Sequence, residues 1–89
     1  MNKFYCVYEE YTEDFVRLNG LVADCDLMRL FDDENKAMQF VKNELALQCD
    51  NDDEWEYAVA EEKEDKIVFE IYYMKEMQYR VIIKEMELN

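Results

Sequence analysis

The chain contains no histidine, no serine and no proline, and it has one glycine, Gly20, and one threonine, Thr12. Without histidine there is no imidazole base titrating near neutral pH and no imidazole metal ligand. Without serine the hydroxyl nucleophile of a hydrolase triad is missing. A single glycine cannot build a GxGxxG turn or a Walker loop, where several glycines let backbone amides approach phosphates, so no nucleotide cofactor is expected and no other cofactor is implied. Apolar runs are only a few residues long, far short of the roughly 20 that span a bilayer, and Met1-Asn2-Lys3-Phe4 opens without an apolar signal region. A soluble, cytoplasmic protein is expected. Cysteine is sparse as well: Cys6, Cys25 and Cys49 are odd in number, far apart and free of any CxxC spacing, the pattern of reduced thiols and not of a disulfide framework or metal site.

Bases are scarce where acids are plentiful. Ten Lys and Arg face 23 Asp and Glu, a net charge of −13, where a small soluble domain usually carries a magnitude of about 2–8. Charge of this sign repels nucleic acid and anionic membrane surfaces before contact and favours a basic protein or cations. The composition is nevertheless 51% hydrophobic, far from the signature of disorder, and 89 residues suit one domain, residues 1–89, with one modest core.

Phe31 to Cys49 carries the clearest pattern. Asp32 or Asp33 can cap a helix, Asp32, Asp33 and Glu34 favour its positive N-terminal end, and Ala37, Phe40, Val41 and Leu45 fall on one face. The helix is predicted over Asp33 to Cys49. Before it, Lys3 to Tyr11 alternates Phe4, Cys6 and Tyr8 against Tyr5, Val7 and Glu9, as a strand does. Thr12 to Leu18 is either strand or short helix, because Asn19-Gly20 can close a two-residue hairpin or end a helix through a left-handed glycine; the hairpin is preferred here. Leu21 to Leu30 then alternates Leu21, Ala23, Cys25 and Leu27, as a core face, against Asp24 and Asp26, as a wet one.

After the helix, Asp50 to Glu54 is a polar loop, Trp55 to Ala60 a strand, Glu61 to Lys66 a charged turn and Ile67 to Met74 a strand. Lys75 to Gln78 offers a further turn and Tyr79 to Leu88 a last strand. Three consecutive strands after one helix cannot be parallel βαβ units, so the expected fold is α+β, an antiparallel sheet of about four to six strands with one principal helix on one face.

Catalytic constellations are not evident. Cys25 lies between Asp24 and Asp26, the opposite of the cationic setting an activated thiol needs, and carboxylate pairs such as these are too common in this chain to specify a glycosidase dyad. An enzyme is not expected. Asp50, Asp52, Glu54 and Glu61 match the first, third, fifth and twelfth positions of a calcium loop, but Trp55 stands where the turn needs glycine and a strand follows where a helix should. Weak calcium binding is the lesser alternative, and no metal ligand is assigned.

The acidic segment Asp50 to Asp65 has nine acids and one base, net −8 in sixteen residues. Asp50, Asp52, Asp53, Glu54, Glu61, Glu62, Glu64 and Asp65 are the candidate partner-binding residues, with Tyr11, Trp55 or Tyr72 as aromatic anchors. Alternate strand residues lie about 6.6–6.8 Å apart, and carboxylates so spaced can imitate rows of phosphates. In size, charge and one-helix sheet the chain resembles the small acidic DNA-mimic and anti-CRISPR inhibitors encoded by phages and mobile elements, a likeness that carries no individual residue across. The resemblance implies a non-catalytic inhibitor occupying the basic nucleic-acid-binding surface of a host protein. The alternative is an acidic interaction or structural protein that self-associates through its sheet as a homodimer.

Overall fold

The computed structural model describes residues 2–88 and has the expected α+β architecture, with the order β1 (Asn2–Tyr11), α1 (Glu13–Asn19), β2 (Cys25–Phe31), α2 (Glu34–Cys49), β3 (Trp55–Lys63), β4 (Lys66–Tyr73) and β5 (Glu76–Leu88). All five strands form one antiparallel sheet in the order β2-β1-β5-β4-β3. Helix α2 crosses one face, and the other face is open.

Asp33 caps α2 by accepting the Asn35 amide at 2.7 Å and the Lys36 amide at 3.3 Å, which satisfies two donors that a helix start leaves free. Ala37, Val41 and Leu45 are buried against Val7, Ile67, Phe69, Ile71, Val81 and Ile83, all on alternate strand positions of the helix face. Burying each large aliphatic side chain contributes about 1.5–3 kcal/mol. Phe40 sits at the rim of this stripe, half-buried, with its ring 5.4 Å from that of Phe31 and the Arg29 guanidinium 5.7 Å from its centroid.

Thr12 to Leu18 corrects the preferred hairpin. Residues 13–19 form a helix, with Thr12 Oγ1 accepting the Phe15 amide at 3.2 Å and Gly20, at φ 65°, donating its amide back to the last carbonyls. Phe15 decides the matter by packing: its ring lies 5.2 Å from Tyr11 and 5.4 Å from Tyr79, which docks α1 onto the sheet where a hairpin would leave that ring without partners. β1 and β2 still pair antiparallel, joined through α1.

Two strand assignments also change. β2 starts only at Cys25, since Leu21 to Asp24 returns from α1 and the Asp24 carbonyl accepts the Tyr11 amide at 2.7 Å. An extra residue, Met28, bulges β2 and shifts its alternation, so Met28 and Phe31 face the core while Cys25 and Leu27 are exposed. β3 in turn runs on through Glu61, Glu62 and Lys63, leaving Glu64-Asp65 as a two-residue turn. The Glu61 carboxylate holds Lys63 at 2.7 Å and approaches Lys66 at 3.9 Å, which ties the strand end across to β4. β3 is bulged too, at Ala60, and Gln78 is the extra residue where β5 pairs with β4. The β4–β5 turn is tighter than expected, Met74-Lys75 alone, both at positive φ.

Candidate functional site

Each strand rises roughly 3.3 Å per residue, so the nine-residue β3 sets Asp50 to Glu54 and Glu64-Asp65 about 25–30 Å apart, at opposite ends of the sheet. The segment that is one acidic block in sequence is two clusters in space. Asp50, Asp52, Asp53 and Glu54 are exposed at the end where α2 finishes. There the Asp52 carboxylate accepts the Glu54 amide at 3.0 Å, and Glu54 accepts the Tyr73 hydroxyl at 2.8 Å, a bond that pushes the Tyr73 phenol above its ordinary range.

Glu64 and Asp65 lie at the other end, where α2 begins, and meet partners distant in sequence. Glu34 of α2, Glu64 and Asp65 of the β3–β4 turn, and Glu85 of β5 line one depression beside Tyr5, together with one base, Lys66, and the apolar Ile67 and Ile83. Its free volume of about 10 Å³ holds no more than a water, so these carboxylates form a surface and not a pocket. The Asp65 carbonyl accepts the Glu85 amide at 2.8 Å, which fixes the turn against β5. Lys3 lies 3.3 Å from Glu85, and the same carboxylate accepts the Tyr5 hydroxyl at 3.4 Å. Burial first, then the charges of Glu85 and Glu34, push the Tyr5 phenol up. Asp32, held 3.3 Å from Lys36, extends the cluster along the helix start.

Glu61 and Glu62 belong to neither cluster in the manner expected. Strand alternation past the bulge turns Glu61 to the open face, where the hydrogen bond from Lys63 holds its carboxyl below the ordinary range, and Glu62 pairs with Ile67 on the helix face. Glu34 and Glu85 are the residues that linear charge density missed, because their convergence is a product of strand register. The aromatic anchors are also engaged internally: Tyr11 stacks on Phe15, Trp55 lies 4.8 Å from Tyr73, and Tyr72 donates to Glu70 at 2.9 Å.

The twelve-residue calcium frame is stretched by β3, which carries Glu61 far from Asp50, and among the described residues no group of three or more His, Cys, Asp or Glu is arranged to hold a metal ion. Cys6, Cys25 and Cys49 are free, and burial pushes the Cys6 and Cys49 thiols up, away from a reactive thiolate. A cavity of about 170 Å³ under α2, lined by Glu9, Glu44, Gln48, Phe40 and Tyr79 among others, is smaller than the roughly 300–1,000 Å³ of usual ligand pockets. No helix of the described residues is long and apolar enough to cross a membrane. Comparison of the chain with protein families, curated proteins and solved structures gave no match in any of the three.

Proposed function

We propose that this chain is a non-catalytic binding protein whose acidic surface occupies the basic, nucleic-acid-binding surface of a partner protein in the cytoplasm, as a mimic of nucleic acid. The observation that carries the proposal is the convergence of Glu34, Glu64, Asp65 and Glu85 from three separate parts of the chain onto one surface too shallow for a small molecule. A shallow carboxylate surface suits Lys and Arg side chains arrayed for phosphates, and the −13 net charge steers such a partner in from a distance. The second cluster, Asp50 to Glu54, lies about 25–30 Å away along β3, a spacing on the scale of eight steps of a phosphate backbone at roughly 3.4 Å each.

The test is capture of proteins from a bacterial lysate at low and high salt, with duplex DNA or RNA as competitor and an unrelated acidic protein of similar charge as control. Partners specific to this chain should be nucleic-acid-binding proteins that salt elutes and DNA or RNA displaces. The triple reversal Glu34→Lys, Glu64→Lys, Asp65→Lys should weaken that capture by roughly tenfold or more without unfolding the protein. Capture indifferent both to the reversal and to nucleic acid would sink the proposal.

A further inference from the structure

We propose that the cavity under α2 binds a primary alkylammonium group, as a short free amine or as a lysine side chain, with the ammonium held by Glu9, Glu44 and the Tyr79 hydroxyl. Glu9 of β1 is half-buried and Glu44 of α2 is exposed, which sets the first deeper in the cavity and the second at its mouth. Neither forms an ion pair among the described residues, nor does Asp26, which stands opposite Glu9 across the β1–β2 pair. Arg29 rests over the Phe31 and Phe40 rings, 5.4 and 5.7 Å from their centroids, and is paired with none of these carboxylates. Burial, joined by the charges of Asp26 and Glu44, pushes the Glu9 carboxyl up against the lowering effect of its bond from Tyr11, and a cation beside it would offset both effects.

Tyr79 is an independent sign that the cavity takes a polar guest. It is only 9% exposed and lines the cavity, yet its hydroxyl has no hydrogen-bond partner among the described residues. No fully buried side-chain polar atom among them lacks a partner, so this hydroxyl is reached from the cavity and is not sealed in the core. Burial, then the charge of Glu9, pushes the phenol up to about 12, so it stays neutral at pH 7 and keeps a lone pair to accept from an ammonium. The walls select the rest of the guest. Met28 and Val81 offer apolar surface to methylenes, and Phe40 adds a ring face that attracts a cation. A metal ion fits poorly, because hard cations need about six or more oxygens close in, and no three Asp, Glu, Cys or His are so gathered among the described residues. A cavity of about 150 Å³ accepts a benzene-sized guest, so about 170 Å³ suits roughly five or six heavy atoms, the size of butylamine or of a lysine side chain.

An NMR titration of the isotope-labelled protein with n-butylamine hydrochloride at pH 7 and about 150 mM salt tests this, with n-butanol as the neutral analogue of equal length. The amine should give saturable shifts confined to residues around the cavity, with a dissociation constant below about 5 mM, and butanol at the same concentration should give none. Glu9→Gln and Glu44→Gln should each weaken amine binding at least about fivefold and Tyr79→Phe about threefold. Glu64→Gln, which removes one charge at the end where α2 begins, should change it by less than about twofold. The spectrum of each variant reports its fold directly. N-acetyl-lysine N-methylamide separates the two sources: affinity similar to that of butylamine assigns the cavity to a lysine side chain, and binding of butylamine alone assigns it to a free amine. No saturable shift up to about 50 mM amine, equal binding of butanol, or equal losses in Glu64→Gln and Glu9→Gln would overturn the proposal, the last as plain attraction to a −13 molecule.

Discussion

Glu9 sits on the helix face of β1, half-buried between Val7 and Tyr11, and burial pushes its carboxyl above the ordinary range even though the Tyr11 hydroxyl donates to it at 3.2 Å. A carboxyl with a raised folded-state pKa binds its proton more tightly in the native protein than in the unfolded chain. Its contribution to stability is therefore present at low pH and is lost as pH rises from its ordinary value through the folded one. Glu9→Gln keeps an acceptor for Tyr11 and removes the charge, so it should melt higher than the parent at pH 7 and equally near pH 3 by differential scanning calorimetry. Tyr11 and Tyr79 follow the same sign at the alkaline end. Burial pushes both phenols up to about 12, so native stability should fall between pH 10 and about 12. Urea melts across that window check it, and Tyr79→Phe should blunt the fall.

At the level of elements, α2 was legible in the sequence because one residue, Asp33, caps it and three, Ala37, Val41 and Leu45, repeat at a spacing of four. Leu45→Ala should cost about 2–5 kcal/mol in chemical denaturation, while Leu47→Ala, on the wet side, should fall within about 0.5 kcal/mol of zero. α1 was not legible to the same degree. Asn19-Gly20 fits both a hairpin and a helix end, and the deciding contacts of Phe15 with Tyr11 and Tyr79 come from residues that sequence spacing does not bring together. Alternation failed in β2 for a different reason: pairing with Glu10 and Tyr8 sets Cys25 and Leu27 on the open face, and one bulged residue, Met28, then puts Phe31 on the opposite face from Leu27. The acidic site was half legible: its charges are plain in the sequence, but β3 separates them and the register adds Glu34 and Glu85. Met74-Lys75 closes the β4–β5 hairpin with both residues at positive φ, a conformation that suits Asn-Gly. Met74→Asn with Lys75→Gly should therefore stabilise the protein by about 1 kcal/mol in the same denaturation assay.

Across the whole molecule the −13 charge is a standing self-repulsion that the core, with 12 buried hydrophobic residues among the described ones, must outweigh. Raising salt from about 10 mM to 500 mM shortens the screening length from roughly 30 Å to 4 Å, well inside the 42 × 28 × 19 Å dimensions of the molecule. The melting temperature should rise accordingly, by several degrees, in scanning calorimetry; a flat response would show that the charges are too dispersed to oppose folding. The bulges at Met28 and Ala60 bear on a different property. They lie on β2 and β3, the two rim strands of the sheet, whose outward backbone groups would otherwise be open to pairing with the next molecule. A kinked rim is a poor template, so this protein should resist seeding by its own β3 peptide and remain free of cross-β fibres during long storage at high concentration.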